Sequence, residues 1–368
     1  MHREVAVRHR DPVLPDTTPC DDLPAVLSWR EARAIGALTT LRAGYVPAAR
    51  GVRVVRGADP LDPDVRTAVA MAAVHPDVTL GGWAAARMHE RAVLATGSRA
   101  SAGRRGAAAR GHRDDPLVFD GRPVHERRDE LLPVLLLAPP EVRLQAGPGR
   151  VLVRSRVLPE ERVRRSGLWV TSPLRSAFDL ARFGRHPDAV VGLDRMRALG
   201  LVEPESLATL LRERPRWRGS GAARRALTVS DDGVESPQES RMRLVWLAAD
   251  LPRPRCNPVV LDEWGQFVAR VDLMDESSGV VAEYDGAVHS ASDRRSADAR
   301  RQERLHALGL EVLRATSVDL ATPTARARWQ GRARAARDRA LARRASARWQ
   351  VAPAGRRGSA GIDGPTTA

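Results

Sequence analysis

Residues 235–320 constrain the fold more than any other stretch, because their hydrophobic period switches in one definite order. "SPQESRMRLVWLAAD" opens at Ser236, a good N-cap, with Pro237 in the first turn, and Leu244, Leu247 and Ala248 line one helical face. "CNPVVLD" and "QFVARVDLM" then read as strands joined by "EWG", and "DESSG" turns the chain into a third strand, "VVAEYDG". "SASDRRSADARRQERLHALG" predicts a second helix ending at Gly309, and "LEVLRAT" a last strand. The predicted order is αβββαβ, and the fold class is α/β.

Acids stand where strands of this kind gain nothing from them. Residues of like parity share a strand face, so Asp272 lies with Val268 and Arg270, and Glu283 with Val281 and Asp285. A hairpin closing over "ESSG" sets Asp272 opposite Glu283, with Cβ atoms about 5 Å apart. Two like charges at that distance repel by roughly 3 kcal/mol at an effective dielectric of about 20. A hard divalent cation, Mg²⁺ or Mn²⁺, reverses that sign, since it takes a few carboxylates together with water and phosphate. It would also polarise a phosphodiester and activate an attacking water. The plainer alternative makes Asp272 and Asp285 turn-flanking acids, with Glu283 paired by Arg270 or Arg314.

Net charge is +15 over 368 residues, which suits a polyanionic partner, most simply DNA. All 60 basic residues are arginine, and Ile, Asn and Tyr are scarce, a high-GC, actinobacterial-type composition that accounts for much of the arginine. With no lysine anywhere, P-loop NTPase, Schiff-base and Ser–Lys chemistries are excluded. Cys20 and Cys256 have no metal-ligand spacing. "LLPVLLLAPP" is too short and Pro-broken to span a bilayer, and no N-terminal segment has a signal peptide's apolar core. The expectation is a soluble, cytoplasmic, reduced protein with no membrane role.

Upstream, residues 1–24 are polar and Pro-rich, and disorder is expected there. "LSWREARAIG" carries Ser28 and Glu31 in capping-box spacing, and "GYVPAARGVRVVRG" reads as two strands around a turn, the wing of a small winged helix within 25–95. Helices are predicted over 62–76 and 80–93, a Gly/Ala/Arg loop over 96–116, and strands at 123–126, 132–137 and 151–157. "TSPLRSAFDLARF" is a capped architectural helix, followed by helices at 187–199 and 203–213 and a Gly-containing linker at 218–234. After 320 one Arg/Ala-rich helix reaches about 346 and then frays; it could lie along a phosphate backbone.

Glu239, Asp272, Glu283-x-Asp285-Gly286 and His289 together resemble the PD-(D/E)XK nuclease superfamily. The closer resemblance is to very-short-patch-repair-like (Vsr-like) endonucleases and to bacterial proteins carrying that domain as a domain of unknown function. Asp298-x-x-Arg301-x-x-x-Leu305-x-x-x-Gly309 and "VLR" with Arg314 fit the same pattern, over about 235–320. "LSWREARAIG…RGVRVV" and "WVTSPLRSAFDLAR" are similar to AbiEi-like antitoxin and regulator proteins, with the winged helix shortened between Gly36 and Gly44.

The resemblance implies a restriction-endonuclease-like core behind a mixed α+β region (117–217) with a degenerate winged helix. It implies metal ligation by Asp272, Glu283 and Asp285, support from Glu239, and His289 orienting water or phosphate. Arg300, Arg301 and Arg304 would contact phosphates, although a solvated helix face explains them as simply. Glu239 also sits where it completes a capping box with Ser236. The superfamily lysine falls at Asp285, so either His289 or an arginine takes its role or activity is lost. Two distant cysteines cannot build the Vsr zinc site, so mismatch specificity does not carry over. Two functions stand open: a metal-dependent DNA endonuclease, or a DNA-binding antitoxin-like regulator with an inactive nuclease fold. A partner protein encoded nearby is compatible with either.

Overall fold

The computed structural model describes residues 23–72, 74–100, 117–123, 130–286, 292–343 and 348–353. Most of the segment 1–24, the loop beyond residue 100, most of the predicted strand 123–126 and His289 lie outside them. The protein is a mixed α/β fold, and the chain divides into two compact units between Ser230 and Asp231.

The first unit begins with β1 (Val26–Ser28), α1 (Trp29–Ala34), α2 (Leu38–Gly44), β2 (Tyr45–Ala49), β3 (Val52–Val55) and α3 (Pro63–Met71). The three strands form an antiparallel sheet in the order β1-β3-β2. The predicted capping box is formed: Glu31 N–H donates to Ser28 Oγ at 3.1 Å and Ser28 N–H to Glu31 Oε2 at 3.0 Å. Leu27, Ala32, Leu41, Tyr45 and Val55 close the small core beneath.

The chain continues through β4 (Thr79–Gly81), α4 (Gly82–Ala100), β5 (Val134–Ala138), β6 (Arg150–Arg154), β7 (Arg162–Arg165), β8 (Leu168–Thr171) and α5 (Pro173–Phe183). Then come α6 (His186–Ala198), α7 (Pro204–Glu213) and α8 (Ser220–Val229). The sheet order is β6-β5-β4-β8-β7. Ser172 caps α5, which buries Ala177, Phe178 and Ala181 as the apolar stripe predicts. The same helix also buries Arg175, Asp179 and Arg182. Arg175 donates to Glu161 at 2.8 Å and to Asp179 at 3.2 Å, and Arg182 to Asp179 at 2.8 Å, so these charges are buried only because they are paired. The linker expected at 218–234 is instead largely α8, whose Ala223 and Ala226 are fully buried; Gly219 and Gly221 lie at the helix start and Gly233 beyond its end.

The second unit comprises α9 (Pro237–Leu247), β9 (Arg255–Cys256), β10 (Val259–Asp262), β11 (Phe267–Arg270), β12 (Leu273–Asp275), β13 (Val280–Tyr284), α10 (Ser292–Ala307), β14 (Glu311–Ala315), α11 (Ser317–Ala321), α12 (Pro323–Ala342) and β15 (Trp349–Val351). The main sheet runs β14-β13-β12-β9, with β13 and β14 parallel across the α10 crossover. Each of the first two predicted strands is broken in two, and β10 and β11 leave to form a second sheet with β15. The break falls at Asn257, whose φ of 50° is left-handed, and at Val271–Asp272 opposite it. Asn is among the few residues that tolerate that conformation.

Alternation along the strands gives the main sheet two buried faces. Leu273, Val280 and Ala282 pack on Met242, Trp246 and Trp329, while Met274 and Val281 pack on Val268, Leu305 and Leu310. Trp246 and Trp329 meet edge to face at 6.3 Å, and their indole N–H groups donate to Pro252 and Arg314 carbonyls at 2.8 and 3.1 Å.

The Arg/Ala-rich stretch is therefore a core helix. Trp329, Ala333, Ala336 and Ala340 form its buried stripe, and Arg332, Arg337 and Arg339 reach Asp319, Asp275 and Glu311 at 3.1, 3.0 and 2.6 Å. The frayed tail expected after 346 contains β15, held because Val351 and Trp349 pair with Val260 and Asp262.

Candidate functional site

Asp272 sits one residue before β12, one position beyond the Leu273–Ala282 pair, which brings it beside Glu283 as the hairpin register requires. Both acids point to the α10 side of the sheet, sharing parity with Met274 and Val281. Asp272 Oδ2 accepts the Tyr284 N–H at 2.7 Å, which fixes the carboxyl against β13. Burial pushes the Asp272 carboxyl above its usual range, and the charge of Glu283 pushes it further, against the opposing Tyr284 amide, Arg301 and Arg270.

Glu239 is held from α9. Its N–H donates to Ser236 Oγ at 3.2 Å, but its carboxylate accepts from Glu235 N–H at 3.0 Å rather than from the Ser236 backbone N–H, so the capping box is only half formed. The same carboxylate accepts from Asn257 Nδ2 at 2.7 Å. Burial raises the Glu239 carboxyl above its ordinary value, and Asp272 adds to that rise. Glu239, Asp272 and Glu283 thus form a chain of acids, each in electrostatic reach of the next.

Arg301 is the counter-charge. Its guanidinium pairs with Glu283, which is 9% exposed, and donates to the Arg270 carbonyl at 2.9 Å. Arg300 and Arg304 stand on the same helix with exposed side chains. Asp285 does not join the acids: it lies past the end of β13, exposed, with Arg314 at 3.4 Å. Asp285 N–H donates to the Ala315 carbonyl at 2.8 Å, continuing the parallel ladder one residue past β13.

Among the described residues no group of three or more His, Cys, Asp or Glu side chains is arranged to hold a metal ion. The donor set is two neighbouring carboxylates, Asp272 and Glu283. The raised Asp272 carboxyl and its repulsion by Glu283 in a half-buried setting fit a hard divalent cation that keeps several water ligands. A closed all-protein cage does not fit.

Two contributors were not read from the sequence. Asn257 organises the site: its backbone N–H donates to the Asp272 carbonyl at 2.8 Å, and its side chain bonds both Glu239 and the Gly233 carbonyl, the latter at 3.0 Å. The signal was present, since it is the only asparagine in a chain biased against that residue. Arg301 as partner of Glu283 was the other; the sequence offered Arg270 or Arg314 for that place.

No helix among the described residues is long and apolar enough to cross a membrane. No protein-family model matches the chain, and no solved structure matches it. Two proteins of Mycobacterium tuberculosis, one from strain CDC 1551 / Oshkosh and one from strain ATCC 25618 / H37Rv, are each 31% identical to it over 177 residues. Both are described as uncharacterized, and the match covers 47% of this chain and 64% of each relative.

Proposed function

We propose that the second unit is a Mg²⁺- or Mn²⁺-dependent DNA endonuclease domain of the PD-(D/E)XK, Vsr-like type, behind an AbiEi-like, DNA-binding first unit. One observation carries the reading: half-buried Asp272 stands beside buried Glu283 with its carboxyl raised, an arrangement that costs stability and that a divalent cation offsets. The helix–strand order and the parallel β13–β14 pair around α10 are compatible with it.

In this reading Asp272 and Glu283 hold the metal. When bound, the metal supplies Lewis acidity at a phosphodiester oxygen and an activated water. Glu239 sustains negative potential behind Asp272, and the Tyr284 amide keeps Asp272 in one orientation. Arg301, already on Glu283, supplies the positive charge for which the chain has no lysine. Plasmid nicking by the full chain with Mg²⁺ tests this. Asp272→Asn should abolish nicking and leave DNA binding nearly intact; equal nicking by both proteins would refute it.

A second reading rests on a different observation. Glu283 and Asp285 are both neutralised from within, by Arg301 and Arg314. A DNA-binding, antitoxin-like regulator with an inactive nuclease fold would look like this. It requires salt-sensitive DNA binding without hydrolysis, and absence of binding at low salt would remove it.

A further inference from the structure

The β7–β8 hairpin of the first unit carries two arginines stacked on one tryptophan, a feature that neither reading of the acid site uses. Strand β7 is the edge of its sheet, and it pairs with β8 so that Arg164 stands opposite Trp169 and Arg162 opposite Thr171. These four therefore share one face, with Val163, Arg165, Leu168 and Val170 on the other. The turn is tight: Ser166 and Gly167 both have positive φ, 46° and 74°, the conformation of a two-residue hairpin turn that matches strand twist. Arg164 closes it by donating to the Gly167 carbonyl at 2.7 Å.

On that face the Arg162 and Arg164 guanidiniums lie 4.4 and 4.3 Å from the Trp169 ring centroid. A guanidinium over an aromatic ring uses its flat face and leaves in-plane N–H groups for an anion, although on Arg164 one Nη already serves the Gly167 carbonyl. The ring also fixes two long side chains, so less rotamer freedom remains to be lost on binding. Among the described residues neither arginine forms an ion pair with a carboxylate, and the Nε of Arg162 is buried without a partner. Elsewhere in the same unit arginines are neutralised from within: Arg87 and Arg91 by Asp64, Arg175 by Glu161, Arg195 by Glu90. Codon bias explains why arginine is common, but not why this pair is stacked and left without acids.

We propose that the β7–β8 hairpin is a nucleic-acid backbone contact, in which Arg162 and Arg164, held by Trp169, bind neighbouring phosphates of a duplex. The test is fluorescence anisotropy of the full chain with labelled duplex DNA in EDTA across a salt series, which makes it independent of any metal at Asp272. Arg162→Gln/Arg164→Gln should weaken binding roughly tenfold or more and flatten the log–log salt slope by about 0.9 per lost phosphate contact. Trp169→Ala should weaken binding with the slope unchanged, since the charges remain. The control Arg143→Gln/Arg216→Gln removes two exposed charges elsewhere and should change little. Arg164→Gln alone, at an exposed position, carries the test if the double variant misfolds. Equal losses in the hairpin and control pairs, or no binding by the wild type at low salt, would overturn the proposal. So would competition by polyglutamate as effective, charge for charge, as by duplex DNA.

Discussion

Asn257 donates from its side-chain amide to the Glu239 carboxylate at 2.7 Å. Its backbone simultaneously binds the Asp272 carbonyl from a left-handed conformation, so one residue ties α9 to the break before β12 that holds the central acid. Asn257→Gly keeps the backbone conformation and loses the side-chain bonds, whereas Asn257→Ala loses both. Stability by urea denaturation should fall in the order wild type, Gly, Ala, with Ala lower than Gly by about 1–2 kcal/mol from the positive φ alone. The reverse order would show that the backbone conformation at Asn257 is not what holds the bend.

Asp272 should make stability fall with rising pH. Its folded carboxyl value is raised, so over the window between the unfolded and folded values the folded state binds more proton. Stability is therefore greater on the acid side of that window and lost as pH rises through it. Asp272→Asn should be more stable than wild type at pH 7, with the difference vanishing below about pH 3.9, where Asp is protonated in both states. Urea midpoints across pH 3–8 measure this, and parallel profiles for the two proteins would contradict it.

Asp275 should behave in the opposite sense. Burial works to raise its carboxyl, but the Ser277 and Ser278 hydroxyls, the Ser277 amide and Arg337 overcome that and hold it below the usual carboxylate range. Its contribution is present above the unfolded carboxyl value and disappears as pH falls through the lowered one. Asp275→Asn should cost about 1–3 kcal/mol at pH 7, with the loss shrinking in acid. A constant difference over that range would mean the turn bonds do not depend on the charge.

Cutting the second unit at residue 322 should unfold it. The cut removes α12, with Trp329 at 0% exposure, and β15, which pairs with β10. Circular dichroism and limited proteolysis of residues 231–322 against 231–353 would show this, and a cooperatively melting shorter fragment would contradict it.

The αβββαβ order and the Asp272–Glu283 juxtaposition were legible because strand parity and a short turn fix register almost alone. The fate of the long strands was not, since their split depends on an asparagine adopting a conformation that composition does not announce. The helix expected in the C-terminal arginine-rich stretch is present, but its core face was not legible, for a related reason. Its alanine stripe is too weakly apolar to signal a core until Trp329 finds Trp246 across sequence-distant elements. The partner of Glu283 was likewise settled by tertiary packing, which brought Arg301 from α10 ahead of the strand arginines that parity favoured. The ion network around Asp179 lay hidden inside a helix whose apolar stripe alone was enough to predict it.

Arg301→Gln should tighten divalent-cation binding and slow nicking together. Removing the guanidinium frees a Glu283 oxygen and increases negative potential at Asp272, both of which favour a cation. The same change removes the positive charge that the proposed reaction needs near phosphate. Cation affinity by calorimetry and nicking rate should move in opposite directions; a joint fall would assign Arg301 to the architecture of the site.

The central claim is that Asp272 and Glu283 hold a divalent cation, and calorimetric titration of the full chain with Mn²⁺, for wild type and Asp272→Asn, tests it most directly. The account predicts one saturable site in the wild type and its loss in the variant. A wild type that binds no cation, or a variant that binds it as well, would contradict the account and leave the paired acids as a structural feature of the β12–β13 hairpin.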